Sequence, residues 1–232
     1  MTRQEETVDD ELEQLKERII SCELCPRLRA YCQQVAQVKK RAYRDFDYWG
    51  KPVPGFGDPH ARLLVLGLAP AAHGGNRTGR MFTGDGSGEW LIRVLHKFGF
   101  ANKDSSPNRN DGLVLKNTYL SAAVRCAPPA NRPNRSEIEN CASFLSEELD
   151  LLEDLRVVLT LGKIAFDTYL NHMPPKRFVQ RPVFLHGATY RSHEERPLLV
   201  VSYHPSRQNT QTHKLTREAW ESVFEMICRI LD

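Results

Sequence analysis

The sequence predicts an α/β layered fold, a central parallel four-stranded sheet flanked by helices. Four short runs rich in Val, Leu and Thr, at residues 62–68, 117–124, 156–161 and 198–203, read as buried strands. They lack clean polar alternation, as parallel strands covered on both faces do. Helical patterns lie between them, and strand alternating with helix is the signature of an α/β layer.

In chain order, residues 1–61 read as an N-terminal helical segment with helices at 10–20 and 27–42, followed by the Pro/Gly-rich passage YWGKPVPGFGDPHA. Residues 62–232 read as the α/β core, so the whole chain is expected to form one domain. After the first strand, residues 87–97 place Trp90, Leu91, Val94 and Leu95 on one helical face. The stretch NKDSSPNRNDG at 102–112 reads as an exposed, mobile polar loop. A helix at 136–152 follows the second strand with Ser136 as its expected N-cap. Helices at 164–170 and 216–231 follow the third and fourth strands.

The chain has 232 residues, 41% hydrophobic and 26% charged, enough for one sizeable core or two small ones. A net charge of +3 names no partner. Six cysteines fall far below disulfide-scaffold density, and the polar N-terminus lacks an apolar targeting core, so a reducing, cytoplasmic setting is expected. The longest apolar stretch, 63–72, is about half a membrane span, and no membrane association is expected.

Open parallel sheets bind ligands at the carboxyl ends of their strands. Here those ends run into GLAPAAHGGNRTGRMFTGDGSG, AAVRCAPPANRPN, LGKIA and SYHPSRQNTQTHK. The first holds Gly67, Gly74, Gly75, Gly79, Gly84, Gly86 and Gly88, so backbone N–H groups can approach a ligand closely. It is neither a Walker A loop nor a GxGxxG fingerprint, and a flexible cap on the Trp90 helix is the bland alternative. Cys22 and Cys25 form a CxxC pair, and Cys126 and Cys141 lie far downstream. Four thiolates suit either an iron–sulfur cluster or a structural Zn²⁺, while a redox pair is the simpler reading of the CxxC alone.

The three polar blocks, GLAPAAHGGNRTGRMFTGDGSG, AAVRCAPPAN and SYHPSRQNTQTHKLT, resemble those of the uracil-DNA glycosylase superfamily, specifically the bacterial and archaeal family 5 enzymes that carry a 4Fe–4S cluster. The resemblance runs from about Cys22 to Thr216. It implies a monofunctional DNA-repair glycosylase that flips out uracil, and other deaminated bases such as hypoxanthine and xanthine, and leaves an abasic site. A family 4-type enzyme and a non-catalytic iron–sulfur module that binds nucleic acid are the alternatives.

By resemblance, Cys22, Cys25, Cys126 and Cys141 are cluster ligands, and Cys32 and Cys228 stand outside the pattern. The position that elsewhere in the superfamily holds a polar group is apolar here (Leu68, Ala69), and the resemblance assigns the role of general base or electrostatic stabiliser to Asp85. Phe82 is implied to stack on the flipped base, Asn131 to bond its edge, and His204 to face the O2 oxygen as charge develops. Asn209 is implied as a further catalytic residue, and Gly67, Ala69 and His73 as part of the substrate pocket. Arg207 and Gln208 are implied to wedge into the duplex. Residues 27–51 carry seven basic side chains against Asp45 and Asp47, a further expected phosphate contact or simply a solvated helix face. The expected partner is DNA containing a deaminated base, bound by a monomer acting at the nucleoid.

Overall fold

The computed structural model describes residues 3–193 and 197–232. Helices α1 (Arg3–Ile20) and α2 (Pro26–Val38) precede strand β1 (Phe56–Gly57). The chain continues through β2 (Leu63–Gly67), α3 (Gly75–Thr78), α4 (Gly86–Lys97), β3 (Thr118–Ala122), α5 (Arg135–Leu151), β4 (Val157–Leu161) and α6 (Lys163–His172). It ends with β5 (Thr189–Tyr190), β6 (Leu198–Ser202), α7 (Arg207–Gln211) and α8 (Arg217–Leu231).

The sheet has six strands in the order β1-β3-β2-β4-β6-β5, which corrects the four-stranded expectation. The four predicted strands are its parallel centre, with Leu63 paired to both Thr118 and Val157, and Leu159 to Val200. The two additions are antiparallel edge strands of two residues each. Two residues cannot display a period of two, so neither edge strand leaves a pattern to read.

Side chains alternate across the central strands and build two cores. Leu63, Val65, Leu120, Leu159 and Val200 pack with Leu91 and Leu95 of α4 and with Trp220 and Phe224 of α8. Leu64, Leu66, Val158 and Leu199 pack on the other face with Leu145 of α5, Phe166 of α6 and Leu12 of α1. Each fully buried aliphatic side chain contributes about 1.5–3 kcal/mol, so the apolar runs that mark the strands also hold the layers together.

Helix α1 buries Leu12, Leu15 and Ile19 and pairs Arg18 with Glu147 of α5. Helix α1 is therefore packed onto the core beside α5, and β1, upstream of residue 61, already belongs to the sheet. Helix α2 stops at Val38, four residues before the expected end, where Lys39 turns left-handed (φ 53°) into a 3₁₀ turn at Arg41–Tyr43. The N-cap of α5 is Asn134, not Ser136. Asn134 and Glu137 close a capping box, in which Glu137 Oε2 accepts from the Asn134 N–H at 2.6 Å. No helix among the described residues is long and apolar enough to cross a membrane.

From β2 the chain passes to β3 on one side, then returns to β4 on the other. The carboxyl end of β2 is thus a topological switch point, where open sheets leave a crevice.

Candidate active site

The loop leaving β2 ends in Asp85, the N-cap of α4, whose Oδ1 accepts from the Gly88 N–H at 2.9 Å. The carboxylate lies against the backbone of Gly74. A Cβ there would come within 2.8 Å of the Asp85 carboxyl carbon and overlap Oδ2. Only glycine leaves that space. Burial raises the pKa of Asp85, while the N–H groups of Gly88 and Ser87 pull it back down. The result is a half-buried carboxyl whose ionisation burial opposes and the start of α4 favours.

Three residues earlier, Phe82 takes a left-handed backbone (φ 49°), a strain of roughly 1–3 kcal/mol that aims its ring across the end of β2. The ring covers Gly67, where a Cβ would sit 2.6 Å from Phe82 Cζ. Gly88 makes room for the Phe82 carbonyl. On its other side Phe82 stacks with His204, ring centroids 6.5 Å apart and planes 28° apart.

His204 follows β6 and is pushed down to about 4 by burial, so its imidazole is neutral at pH 7. Neither ring nitrogen has a hydrogen-bond partner among the described residues, and Phe82 is its ring neighbour. Its backbone is held tightly instead. The Asn209 side-chain N–H and the Ser206 backbone N–H both donate to the His204 carbonyl at 2.8 Å. Gly162, left-handed at φ 91°, would place a Cβ 3.3 Å from His204 Cβ, so the exit of β4 backs the histidine.

Gly67, Phe82, His204 and Asn209 are thus joined in one chain of contacts at the strand exits, and Asp85 is tied to Phe82 through Gly88, whose N–H it accepts and which lies against the Phe82 carbonyl. Other expected site residues lie at its margin. Asn131 is exposed at the end of a 3₁₀ turn, left-handed at φ 55° beside Ala130 at φ 52°, and no side-chain hydrogen bond joins it to these five among the described residues. Ala69 packs on the cysteine group. His73 meets the Tyr48 hydroxyl through Nδ1 at 3.0 Å, and burial with nearby Lys40 and Arg77 lowers its pKa. Arg207 and Gln208 open helix α7, both exposed, with Ser206 as N-cap. Arg207 Nε lies 3.8 Å from the space a Cβ on Gly86 would fill, so the guanidinium hangs beside the start of α4.

Two arginines in the glycine-rich loop were missed from the sequence. Arg77 donates to the carbonyls of His73 and Gly84, both at 2.9 Å, and its guanidinium lies 4.2 Å from the Tyr43 ring centroid. It staples the two halves of the loop on either side of Phe82. Arg80 pairs with Asp111 at 2.7 Å and donates to Ser106 at 2.6 Å and to the Asn108 and Arg109 carbonyls. Burial opposes ionisation of Asp111, but the Arg80 guanidinium holds its carboxyl below the usual range. The 102–112 stretch is therefore pinned to the loop that carries Asp85, not free as its composition suggests. Two basic residues inside a glycine-rich loop were the available signal.

Cys25, Cys32, Cys126 and Cys141 share one apolar group with Leu28, Ala123 and Val124. Cys141 feels the charges of Cys25 and Cys22, and Asn140 Nδ2 donates to Cys25 Sγ at 3.4 Å. Cys32, expected to stand outside the ligand set, lies in the same apolar group, and its thiol donates to the Ala127 carbonyl at 3.6 Å. Cys228 sits apart on α8. Among the described residues no three His, Cys, Asp or Glu side chains are grouped as donors to one metal ion. The four expected donors are all thiols, the ligand type of an iron–sulfur cluster, and come from the segment before α2, the exit of β3 and α5.

The family model for the uracil DNA glycosylase superfamily matches residues 54–226. A type-5 uracil-DNA glycosylase of Thermus thermophilus is 50% identical over 89% of this chain and 92% of its own length. Type-5 uracil-DNA glycosylases of Pyrobaculum aerophilum (43%, over 89% of this chain and 88% of that protein) and Mycobacterium leprae (42%, 91% and 92%) are also similar. A family match over most of the chain, joined to relatives of matching length at 42–50% identity, shows that this chain belongs to the uracil DNA glycosylase superfamily, in its type-5 group.

Proposed function

We propose that this chain is a monofunctional glycosylase that hydrolyses the N-glycosidic bond of uracil in DNA and leaves an abasic site. The carrying observation is the Phe82–His204 stack over Gly67, with desolvated Asp85 three residues along the same loop. Uracil-DNA glycosylases of similar length and 42–50% identity support it.

Flipping a nucleotide out of the duplex costs a few kcal/mol, least for a mispaired base. Stacking on Phe82 returns about 1–3 kcal/mol of that. As the bond breaks, charge separates: the sugar becomes cationic and the leaving pyrimidine anionic at O2. Asp85 faces the cationic side, stabilising it and orienting the attacking water. His204 faces O2. A neutral imidazole donates one N–H there, and its lack of any other partner leaves that donor free. A donor aimed at developing negative charge contributes about 2.7–4 kcal/mol. Asn209 acts through its bond to the His204 carbonyl and is a positioning residue. Asn131 bonds the edge of the base, Ala69 and His73 border the pocket, and Arg207 and Gln208 press into the duplex beside Gly86.

Cys22, Cys25, Cys126 and Cys141 hold a 4Fe–4S cluster in this reading, whose bonds, when formed, cross-link the start of α2 to the β3 exit and α5. The apolar Leu68 and Ala69 favour a pocket that also admits hypoxanthine and xanthine. An excision panel over uracil, hypoxanthine, xanthine and thymine, in single and double strands, tests this reading. Alkali-labile abasic product from uracil and the two deaminated purines is expected. A uracil-only profile would remove the broader specificity, and no product from any base would refute the enzyme reading.

A further inference from the structure

We infer that residues 39–51 form a strap for the DNA backbone, whose exposed cations take phosphates and whose aromatic rings hold Arg77 and, through it, the loop that carries Asp85. The inference takes its partner, DNA, from the glycosylase reading above. Lys39 turns left-handed out of α2, and its Nζ donates to the Arg44 carbonyl at 3.2 Å, which closes the first part of the strap into a turn. The backbone N–H groups of Trp49 and Gly50 then donate to the Arg77 and Asn76 carbonyls, each at 3.0 Å. The Tyr48 hydroxyl meets His73, and the Trp49 ring covers Gly79, where a Cβ would lie 2.8 Å from Trp49 Cδ2. The strap is therefore seated on α3, in the loop that leaves the carboxyl end of β2.

Its outer face is basic. Lys40, Arg41, Arg44 and Lys51 are exposed, and so is Arg109, whose guanidinium lies 4.7 Å from the Trp49 ring centroid. Among the described residues none of these five forms an ion pair, although Asp45 and Asp47 lie in the same segment. Exposed Arg18, Lys97 and Arg135, by contrast, each have an acidic partner. Neighbouring cations left without acids suit a polyanion, which releases counterions for each phosphate neutralised. Such contacts fix where the duplex sits without reading its sequence. The inner face is aromatic. The Arg77 guanidinium lies 4.2 Å from the Tyr43 centroid and 5.2 Å from that of Phe46, and the two rings meet edge to face at 5.9 Å. Arg77 in turn donates to the carbonyl of Gly84, the residue before Asp85. One short segment thus faces solvent with its charges and the catalytic loop with its rings.

The test measures binding of the full-length protein to an undamaged duplex by fluorescence anisotropy across a potassium chloride series, and single-turnover excision of uracil at saturating protein. Arg41→Gln/Arg44→Gln should weaken binding and reduce the slope of log Kd against log salt by about 2, at about 0.9 per phosphate contact. Lys116→Gln/Arg229→Gln removes the same charge from two exposed positions at the other end of the sheet, one just before β3 and one near the end of α8, and should keep the wild-type slope. Tyr43→Leu/Phe46→Leu keeps every cation and hence the slope, but should slow excision roughly five- to thirtyfold, the weight of two exposed cation–π contacts. Tyr43→Phe/Phe46→Tyr keeps both rings and should restore the rate. If the wild-type protein excises uracil while Arg41→Gln/Arg44→Gln keeps its slope, or Lys116→Gln/Arg229→Gln lowers it equally, the strap is overturned as a DNA contact and the glycosylase reading stands. Wild-type excision by Tyr43→Leu/Phe46→Leu overturns the hold on the loop. If the wild-type protein binds duplex but excises nothing, the glycosylase reading fails and the salt slopes still decide the DNA contact; no duplex binding overturns both.

Discussion

Gly74→Ala perturbs the proposed catalytic carboxylate, Asp85, without replacing it. The new methyl carbon would lie 2.8 Å from the Asp85 carboxyl carbon and 2.9 Å from its Cβ. Ordinary carbon contacts are about 3.5–4.0 Å, so the side chain must retreat by roughly 1 Å or rotate off the Gly88 N–H. Loss of that cap costs about 1 kcal/mol, which lowers Tm by about 2–4 °C in a chain of this size. A reacting group misplaced by about 1 Å costs on the order of 10²-fold in rate. Single-turnover excision from a uracil duplex should therefore slow about a hundredfold, while binding to a duplex carrying an abasic site is unchanged. A folded Gly74→Ala protein that excises at the wild-type rate would refute the claim that the fit of Asp85 against Gly74 sets catalysis.

His204 makes stability depend on pH. Its folded value of about 4 lies below the ordinary 6.5, so the unfolded chain binds a proton that the native site resists. Stability is then full above pH 6.5 and falls by up to about 3 kcal/mol as pH drops towards 4, a slope that denaturant titrations should show and His204→Asn should flatten. Arg80→Met leaves Asp111 buried without its cation and should cost about 3–5 kcal/mol in urea unfolding, with partial recovery in Arg80→Met/Asp111→Leu. Phe82→Leu removes the stacking face and should lower kcat/KM for uracil about ten- to a hundredfold; unchanged values would take Phe82 out of base recognition.

The four central strands were legible because burial on both faces leaves unbroken Val and Leu runs, whereas β1 and β5 were too short to show a pattern. Asn134 and Glu137 carried a readable capping box that the nearer Ser136 obscured. The 102–112 stretch was misread because its anchor, Arg80, lies more than twenty residues upstream, and composition cannot show a non-local ion pair. Within the site, Phe82, Asp85 and His204 were reached through the resemblance, since each alone is an ordinary core, turn or strand-end residue. The role of Asn209 needed coordinates, because it acts on a backbone carbonyl. Cys32 shares the apolar group of Cys25 because it stands seven residues after it, two helical turns along one face of α2.

The most direct measurement compares wild-type protein with Asp85→Ala on a duplex holding a single uracil, followed by alkali, alongside binding to the same DNA. The wild type should yield an alkali-labile strand that stays intact without alkali, and Asp85→Ala should bind as tightly yet leave the uracil in place. Wild-type excision by Asp85→Ala would contradict the assignment of the catalytic acid, and no abasic product from folded wild-type protein would contradict the account as a whole.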